Sequence, residues 1–303
     1  MKTSCTAAVI REPMGAFCCE SLPAGKPGAG HGLQRPAASG RGDTGFVPTQ
    51  LRIGTAGWSI PRTMAEPFGG DGTHLQRYAA RLGCAEINSS FYRPHASTTY
   101  ERWAAAVPPD FRFSVKVPRA ITHDQRLRRA REPLDRFLDE SSGLGGRRGP
   151  LLVQLPPSLE FDRRVAATFL TLLRDRYAGP VVWEPRHPTW FTSVADALLV
   201  RHAVARVAAD PPRAPGADRP GGWPGLVYYR LHGSPRTYWS SYEPAYLEAL
   251  AADLDRLPAG VDAWCIFDNT ASGVALENAW SLHGRVEAAT GSAWSRAFIA
   301  PGE

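Results

Sequence analysis

The feature that most constrains this chain is a regular alternation of short β-rich runs with helix-like segments, which begins at residue 51. Between the runs, apolar residues recur three and four positions apart, as in HLQRYAARL and DRRVAATFLTLLRDRY, which is the spacing of amphipathic helices. Strands that alternate with helices pair in parallel through right-handed crossovers. The β-rich runs are LRIGTAGW (51–58), CAEINSSFY (84–92), FRFSVKVP (111–118), PLLVQLP (150–156), PVVWEP (180–185), AVARVAAD (203–210), LVYYRLHG (226–233) and DAWCIFDN (262–269).

These runs make eight strand-helix units, the number that closes a (β/α)8 TIM barrel. We therefore predict an α/β fold in which a single barrel domain spans residues 49–300. An open, doubly wound sheet is the alternative for such an alternation, but no G-x-G-x-x-G sequence follows the first strand.

Residues 1–48 are rich in Gly, Pro, Ala and Ser and show no periodicity, so we predict that they form a disordered leader. The sequence contains neither a signal peptide nor the roughly 18 consecutive apolar residues of a membrane span. Its five cysteines are too scattered for a disulfide framework, which favours a reducing compartment. We expect a cytoplasmic protein with no membrane partner.

The net charge of +6 is spread along the chain without a run of five or six basic residues, so a nucleic-acid partner has only weak support. The densest basic cluster is interpreted as the solvated face of a helix, and four histidines are expected on helices or loops that face solvent or neighbouring groups. The cluster is Arg126, Arg128, Arg129 and Arg131, and the histidines are His74, His123, His202 and His283.

Polar residues stand near the C-terminal ends of the predicted strands, mostly two positions apart. A spacing of two places side chains on one face of a strand, and at the C-terminal end of a barrel strand that face looks into the mouth, where barrel active sites lie. We predict a polar mouth, with a purely structural ion-pair network as the alternative. The residues are Glu86, Asn88, Ser90, Tyr92, Ser114, Lys116, Gln154, Glu184, Arg186, Asp210, Tyr228, Arg230, His232 and Asp268.

Four segments, INSSFYRP, WEPRHPTW, YYRLHGSP and IFDNTA, resemble in their order and spacing the YecE-like family, also called domain of unknown function 72. The resemblance runs from about Leu51 to about Val286, and it implies a (β/α)8 barrel without an established activity. The eighth strand departs from the family pattern: many members read Phe-Asn-Asn-His, where this chain reads Phe-Asp-Asn-Thr from residue 267. The family's motif positions fall on Glu86, Asn88, Phe91, Tyr92, Glu184, Arg186, His187, Trp190, Arg230, His232, Gly233 and Asn269.

The predicted function is an enzyme, of hydrolase, lyase or isomerase type, that acts on a small anionic or phosphorylated substrate in the mouth. Arg186 and Arg230 would clamp the anion, and His232 would shuttle a proton. Glu86, Glu184 and Asp268 are the candidate general acids and bases. Further substrate contacts are expected from Asn88, Tyr92, Gln154, Tyr228, His187 and Asn269.

Other interpretations of the same residues stay open at this point. A divalent metal could bind among Glu86, Glu184, Asp210, His232 and Asp268, as in a metal-dependent phosphoesterase or endonuclease, although nearby arginines would repel it. No other cofactor is indicated. A two-carboxylate glycosidase would use Glu86 and Glu184. Finally, the barrel could bind a metabolite or a partner without catalysis.

Lys116 stands out by its residue type. Apart from Lys2 and Lys26 in the predicted leader it is the only lysine, whereas the chain otherwise uses arginine for positive charge. Lysine lowers its pKa on burial and can act as a base or as a Schiff-base amine, which arginine cannot do. We predict that Lys116 points into the mouth near Glu86 and Glu184 as a catalytic residue. The alternative is that this lysine remains by chance at the rim of a strand and has no catalytic role.

Overall fold

A computed structural model describes residues 50–290 of the chain, so the predicted leader lies outside the described residues. Ten strands form one sheet in the order β7-β9-β10-β1-β2-β3-β4-β5-β6-β8, and all pairings are parallel except that of β6 with β8. The strands are β1 (Leu51–Ala56), β2 (Cys84–Ile87), β3 (Arg112–Lys116), β4 (Arg148–Gln154), β5 (Val181–Glu184), β6 (Ala205–Arg206), β7 (Ala208–Asp210), β8 (Gly221–Gly222), β9 (Leu226–Leu231) and β10 (Asp262–Phe267).

The barrel closes through the sixth predicted strand, which is divided in two. Its first half, β6, pairs with β5, and its second half, β7, pairs with β9. Only Val207 separates the halves, so the chain itself joins the two edges of the sheet. The prediction of a TIM barrel is confirmed. The short strand β8, which returns from the loop after β7 to pair antiparallel with β6, was not predicted.

Helices surround the sheet and bury one apolar face each. In α5 the buried residues include Ala166, Phe169 and Leu173, and Asp162 caps the helix by accepting hydrogen bonds from two backbone N–H groups of its first turn. No helix within residues 50–290 is long and apolar enough to cross a membrane. The helices are α1 (His74–Ala79), α2 (Ser89–Tyr92), α3 (Ser97–Ala105), α4 (Arg131–Ser141), α5 (Arg163–Arg174), α6 (Ser193–Arg201), α7 (Pro244–Asp255) and α8 (Ala275–Thr290).

Two local predictions are wrong. The second strand ends at Ile87, and Ser90 lies on α2, so it does not share the strand face of Glu86; its Oγ donates to the backbone oxygens of Ile87 and Lys116 instead. Of the arginine cluster only Arg131 lies on a helix, as the first residue of α4. Arg126, Leu127 and Arg129 have φ angles of 50°, 66° and 49°, so this stretch is a left-handed turn that precedes α4.

The interior of the barrel is apolar toward the N-terminal ends of the strands and polar at their C-terminal ends. Inward-facing residues of the lower layers form a closed cluster: Cys84, Leu152, Val182, Ala205, Val207, Leu226, Tyr228, Trp264 and Ile266. Two positions further along β2, β4, β5 and β9 the inward-facing residue becomes polar, as in the steps from Cys84 to Glu86 and from Val182 to Glu184. The apolar layer therefore supports a polar layer at the C-terminal ends of the strands, and we call this end of the barrel the mouth.

Gly54 lets strands β1 and β2 approach closely, because a Cβ atom there would lie 2.1 Å from the backbone oxygen of Cys84. We expect Gly54→Ala to destabilise the protein by about 1–3 kcal/mol, since the backbone must shift to make room. Gly284, on the exposed face of α8, has open space around it and is the matched control; Gly284→Ala should stabilise by about 0.5–1 kcal/mol through helix propensity. Thermal unfolding measures both, and equal effects of the two changes would contradict this.

Candidate functional site

Three carboxylates from different strands meet at one guanidinium in the mouth. Arg230, on β9 and with no exposed surface, donates from Nε and Nη2 to the two oxygens of Glu86 at 3.0 and 2.6 Å. It also donates from Nη1 to Glu184 and from Nη2 to Asp268, each at 2.9 Å. Glu86 lies one residue before the end of β2, Glu184 ends β5 and Asp268 follows β10, so one side chain ties together three parts of the barrel rim. We call these acids the mouth carboxylates.

The charges of the arginines decide the protonation of two of these acids. Burial alone would raise the pKa of Glu184, but Arg230 and Arg186 outweigh burial and hold that pKa well below its usual range. Burial likewise opposes ionisation of Asp268, yet Arg230 and the bond with His232 lower its pKa to about 2. Neither acid is a proton donor near neutral pH, which removes one of the two carboxylates that a glycosidase would need for general acid catalysis.

His232 lies between two of the mouth carboxylates. Its Nε2 is 3.3 Å from Glu184 Oε1, and its Nδ1 is 3.1 Å from Asp268 Oδ2. Each ring nitrogen therefore faces a carboxylate oxygen, and only an imidazole with a proton on both nitrogens can donate to both. The geometry suits a residue that passes protons between the two sides of the mouth.

Two predicted substrate ligands support the carboxylates from below or beside them. Tyr228 is buried one layer down, where its hydroxyl lies 2.9 Å from both Glu86 Oε2 and Ser114 Oγ. Gln154 is buried on β4 and donates from Nε2 to Glu184 at 2.9 Å. The hydrogen bonds found for these two side chains orient the mouth carboxylates. Arg230 is in the same position: four of its five N–H groups donate to Glu86, Glu184 and Asp268, and the fifth, on Nη1, lies 3.5 Å from His232 Nε2. No N–H group of Arg230 therefore points away from this network toward a substrate anion.

Arg186 differs from Arg230 because it still has donors to offer. Its Nε donates to Glu184 at 3.2 Å and its Nη2 to the hydroxyl of Tyr238, also at 3.2 Å. Its side chain is 12% exposed, and no acceptor for Nη1 is found within residues 50–290. Tyr238 also packs edge-on against the ring of His232, with centroids 5.4 Å apart. Sequence reasoning missed Tyr238, which lies in the loop after β9 and has a left-handed φ of 67°.

Lys116 ends β3, and the residue is only 6% exposed. Its Nζ lies 4.4 Å from the centre of the Phe91 ring, and no hydrogen bond or ion pair of this amine is found within the described residues. Burial, with the charge of Arg230 added, lowers the pKa of Lys116 from 10.5 to about 8 against the pull of the mouth carboxylates. Lys116 is thus a buried amine without an ion-pair partner among acids that are already paired.

His123 is the second residue at the mouth that sequence reasoning missed. It lies in a helical turn, Ala120–Asp124, after β3, where its ring packs edge-on against Phe91 with centroids 4.9 Å apart. Burial and the charges of Lys116 and Arg186 lower its pKa to about 4, so it is neutral at neutral pH. From the sequence we expected His123 to face solvent or neighbouring groups. Because the segments that follow barrel strands form the mouth, a histidine shortly after β3 lies there instead.

The other predicted substrate ligands lie around the rim. Asn88 donates to Asp268 at 3.3 Å, and its buried Oδ1 has no partner among the described residues. Tyr92 is 77% exposed and packs edge-on against Phe91. His187 bonds to Thr189 and caps a short helical turn. Asn269 is fully buried and holds the loop after β9 by donating to Ser240 and Asn278, so it acts on loop structure.

The residues suggested for a metal do not surround one metal position. Asp210 faces the hydroxyl of Tyr242 at 2.9 Å, and burial raises its pKa. Glu86, Glu184 and Asp268 direct oxygens at Arg230. Within residues 50–290 there is no group of three or more His, Cys, Asp or Glu side chains placed to hold a metal ion.

A cavity of about 760 Å³ lies away from the mouth, between the left-handed arginine turn and α5. Arginine side chains and apolar residues line this cavity together. Some of the arginines already have partners: Arg128 lies 3.6 Å from Asp162, and the neighbouring Arg126 donates to Ser158. A mixed groove of this kind adds no support to nucleic-acid binding, which stays a prediction.

The sequence and the fold both have counterparts among known proteins. A family model described as "Protein of unknown function DUF72" matches residues 52–300. The UPF0759 protein YecE of Escherichia coli (strain K12) is 32% identical over 143 residues, which are 46% of this chain and 50% of that protein. The UPF0759 protein YunF of Bacillus subtilis (strain 168) is 29% identical over 76 residues, 25% of this chain and 27% of that protein. The chain thus spans half or less of the length of these curated relatives.

Two solved structures resemble the barrel over most of its length. A DUF72 family protein from Enterococcus faecalis V583 aligns with a TM-score of 0.67 and 20% identity, over 78% of this chain and 96% of that one. A DUF72 family protein from Thermotoga maritima MSB8 aligns with a TM-score of 0.64 and 23% identity, over 78% and 99% of the two chains. At these identities the likeness concerns the fold alone.

Proposed function

Because this chain belongs to the DUF72 family, whose description assigns no reaction, we propose a function from the mouth itself: an enzyme that acts on a small anionic substrate, with Lys116 as its reactive amine. One observation carries this proposal. Lys116 is buried at the catalytic end of a barrel with no described hydrogen-bond or ion-pair partner, while the acids beside it are already bound to Arg230.

The free donors at the mouth favour an anion. Arg186 and Lys116 are the two cations that keep unpaired N–H groups among the described mouth residues, and a carboxylate or phosphate oxygen is the acceptor that would satisfy both. Arg230 binds the acids beneath them and so fixes their positions. We therefore assign the substrate anion to Arg186 and Lys116, with Asn88 as a further polar contact.

Proton transfer also points to Lys116. A general acid or base works best when its pKa lies near the working pH, and that of Lys116 is about 8. Glu184 and Asp268 stay ionised, so their part is to hold His232 between them. His232 would then carry a proton to or from the reacting molecule, and neutral His123 packs against the same Phe91 ring that lies beside Lys116.

The proposal is tested by thermal shift with inorganic phosphate, lactate and glycerol 3-phosphate. A ligand at 100 times its Kd adds about 2.7 kcal/mol of stability, which raises the Tm of a domain of this size by roughly 5–10 °C. We expect at least one anion to stabilise the wild type, and we expect Arg186→Met and Lys116→Met each to lose most of that shift. Arg136→Met, on the exposed face of α4, is the matched control and should keep it.

Four outcomes would contradict the proposal or redirect it. No stabilisation by any of the three anions would leave the mouth without an anionic ligand. An equal shift in all variants would place the anion elsewhere. Stabilisation by Mn²⁺ or Zn²⁺ instead would favour the metal-dependent alternative, and binding that survives Lys116→Met unchanged would favour a barrel that binds without catalysis.

A further inference from the structure

We propose that Lys116 is a nucleophile: its amine condenses with the carbonyl group of a small oxo-anion, an aldehyde or ketone that also carries a carboxylate or phosphate, and forms a covalent imine. The inference rests on the proposed function, because Arg186 would hold the anionic group of that same substrate. It adds a bond between protein and substrate, and it names the substrate class.

The surroundings of the amine are those that nucleophilic attack requires. An amine held in a salt bridge stays protonated and has no lone pair, whereas within residues 50–290 no carboxylate reaches Lys116 as an ion-pair partner. Phe91 forms an apolar wall 4.4 Å from Nζ, and Arg230 draws the nearby acids to itself. Burial and the charge of Arg230 lower the pKa of Lys116 to about 8: near pH 7.5, roughly a quarter of such an amine is neutral, against roughly one part in a thousand of an ordinary lysine.

The residue type at this position supports nucleophilic attack more than anion binding. A chain that needed only a positive charge at the end of β3 could use arginine, as it does at Arg186 and Arg230. Arginine keeps its proton at all relevant pH values and cannot form an imine. A buried lysine among arginines therefore points to chemistry that needs a neutral amine.

The step balances without a further co-reactant. The lone pair of Lys116 Nζ attacks the carbonyl carbon, a C–N bond forms, and the carbonyl oxygen takes up a proton to give a carbinolamine. Loss of the hydroxyl group as water then breaks the C–O bond and leaves a protonated imine. In sum, one neutral amine, one carbonyl and one proton from solvent give one iminium ion and one water. His232 lies in the mouth to hand over the proton that leaves with water.

Reductive trapping tests this directly. The full-length protein is incubated at pH 7.5 with glyoxylate, pyruvate or dihydroxyacetone phosphate, then reduced with borohydride, which adds hydride to the imine carbon and fixes the adduct. The chain has only three lysines, so assignment by mass spectrometry is simple. A modified Lys116 resists trypsin, and the adduct is therefore carried by the peptide FSVKVPR, residues 113–119. Lactate, which has an anion but no carbonyl, is the ligand control.

We expect at least one oxo-anion to label Lys116 at least tenfold faster than Lys2 and Lys26. The adduct should be absent from Lys116→Arg and retained by Lys26→Arg. Arg186→Met should lower the yield with the oxo-anion at least tenfold, and lower the yield with formaldehyde, which has no anionic group, by less.

The inference is overturned if none of the three oxo-anions labels Lys116, or if Lys2 and Lys26 are labelled as fast. These results are distinct from failure of the proposed function. An Arg186-dependent thermal shift with lactate or phosphate, combined with no trapped adduct, would leave an anion-binding mouth in which Lys116 transfers protons only.

Discussion

Replacing Arg230 with methionine is expected to destabilise the protein by about 3–5 kcal/mol, the largest effect of any single substitution considered for the mouth. The guanidinium has no exposed surface and makes four hydrogen bonds of 2.6–3.0 Å to carboxylate oxygens. Its removal leaves Glu86, Glu184 and Asp268 buried close together without their shared cation. A loss of this size would lower Tm by roughly 10 °C or more.

Denaturant unfolding of three variants separates this network from ordinary arginine effects. Arg230→Lys keeps a positive charge but cannot span three acids, so it should lose part of the stability that Arg230→Met loses. Arg136→Met breaks an i,i+4 pair on α4 whose arginine is 67% exposed, and should cost less than about 1 kcal/mol. An Arg230→Met protein within 1 kcal/mol of the wild type would mean that the mouth carboxylates do not depend on this side chain.

Lys116→Met is expected to act in the opposite direction and to stabilise the protein at pH 7 by about 2–3 kcal/mol. The fall of the Lys116 pKa from 10.5 to about 8 means that folding penalises the ammonium by roughly 3 kcal/mol, since each pKa unit corresponds to about 1.4 kcal/mol. The contact with Phe91 offsets part of that penalty. Methionine fills a similar volume and carries no charge.

The pH dependence identifies the cause. Below pH 8 the amine is charged in both the folded and the unfolded chain, so the full penalty applies. Between about pH 8 and 10.5 the folded protein releases this proton and the unfolded chain keeps it, so the wild type gains stability as pH rises. The difference in the free energy of unfolding between the wild type and Lys116→Met should therefore shrink over that window. The arginine in Lys116→Arg stays charged in the folded state, so the stability of this variant should fall further below that of the wild type.

Unfolding free energies measured from pH 6 to 10.5 check this. Groups that titrate alike in all three proteins cancel in the differences, so only position 116 contributes. Parallel curves for wild type and Lys116→Met, or a methionine variant that is less stable than the wild type at pH 7, would contradict the prediction. A gain in stability together with a loss of anion binding would fit a residue kept for function against a stability cost.

The parts of the mouth that the sequence predicts are those that follow from strand periodicity. Glu86, Glu184 and Arg230 each stand two residues beyond an apolar inward position, and this local rule is enough to place them in one layer. The rule cannot say how they pair, because Glu86 and Arg230 are 144 positions apart and strand periodicity does not determine which guanidinium nitrogen meets which oxygen. The sequence therefore could not predict that the N–H groups of Arg230 are taken up within the mouth network.

The residues that sequence reasoning missed lie on loops. His123 and Tyr238 follow strands at the mouth, but no period governs a loop, and their positions depend on turns such as the left-handed residue at Tyr238. Ser90 was misplaced for a related reason: the chain leaves the strand at Ile87 and turns into α2, while an alternating pattern of polar residues continues through the turn by coincidence.

The position of Arg230 late in the chain has a consequence for how the barrel is made. During synthesis, Glu86 and Glu184 leave the ribosome 144 and 46 residues before the guanidinium that neutralises them. An early, partly built barrel would have to bury Glu86 without a cation and Glu184 with only Arg186 beside it, so those strand ends stay hydrated until β9 and β10 dock. The mouth of the barrel is consequently assembled last, from contacts of high sequence separation, and its completion is coupled to the cooperative closure of the whole domain.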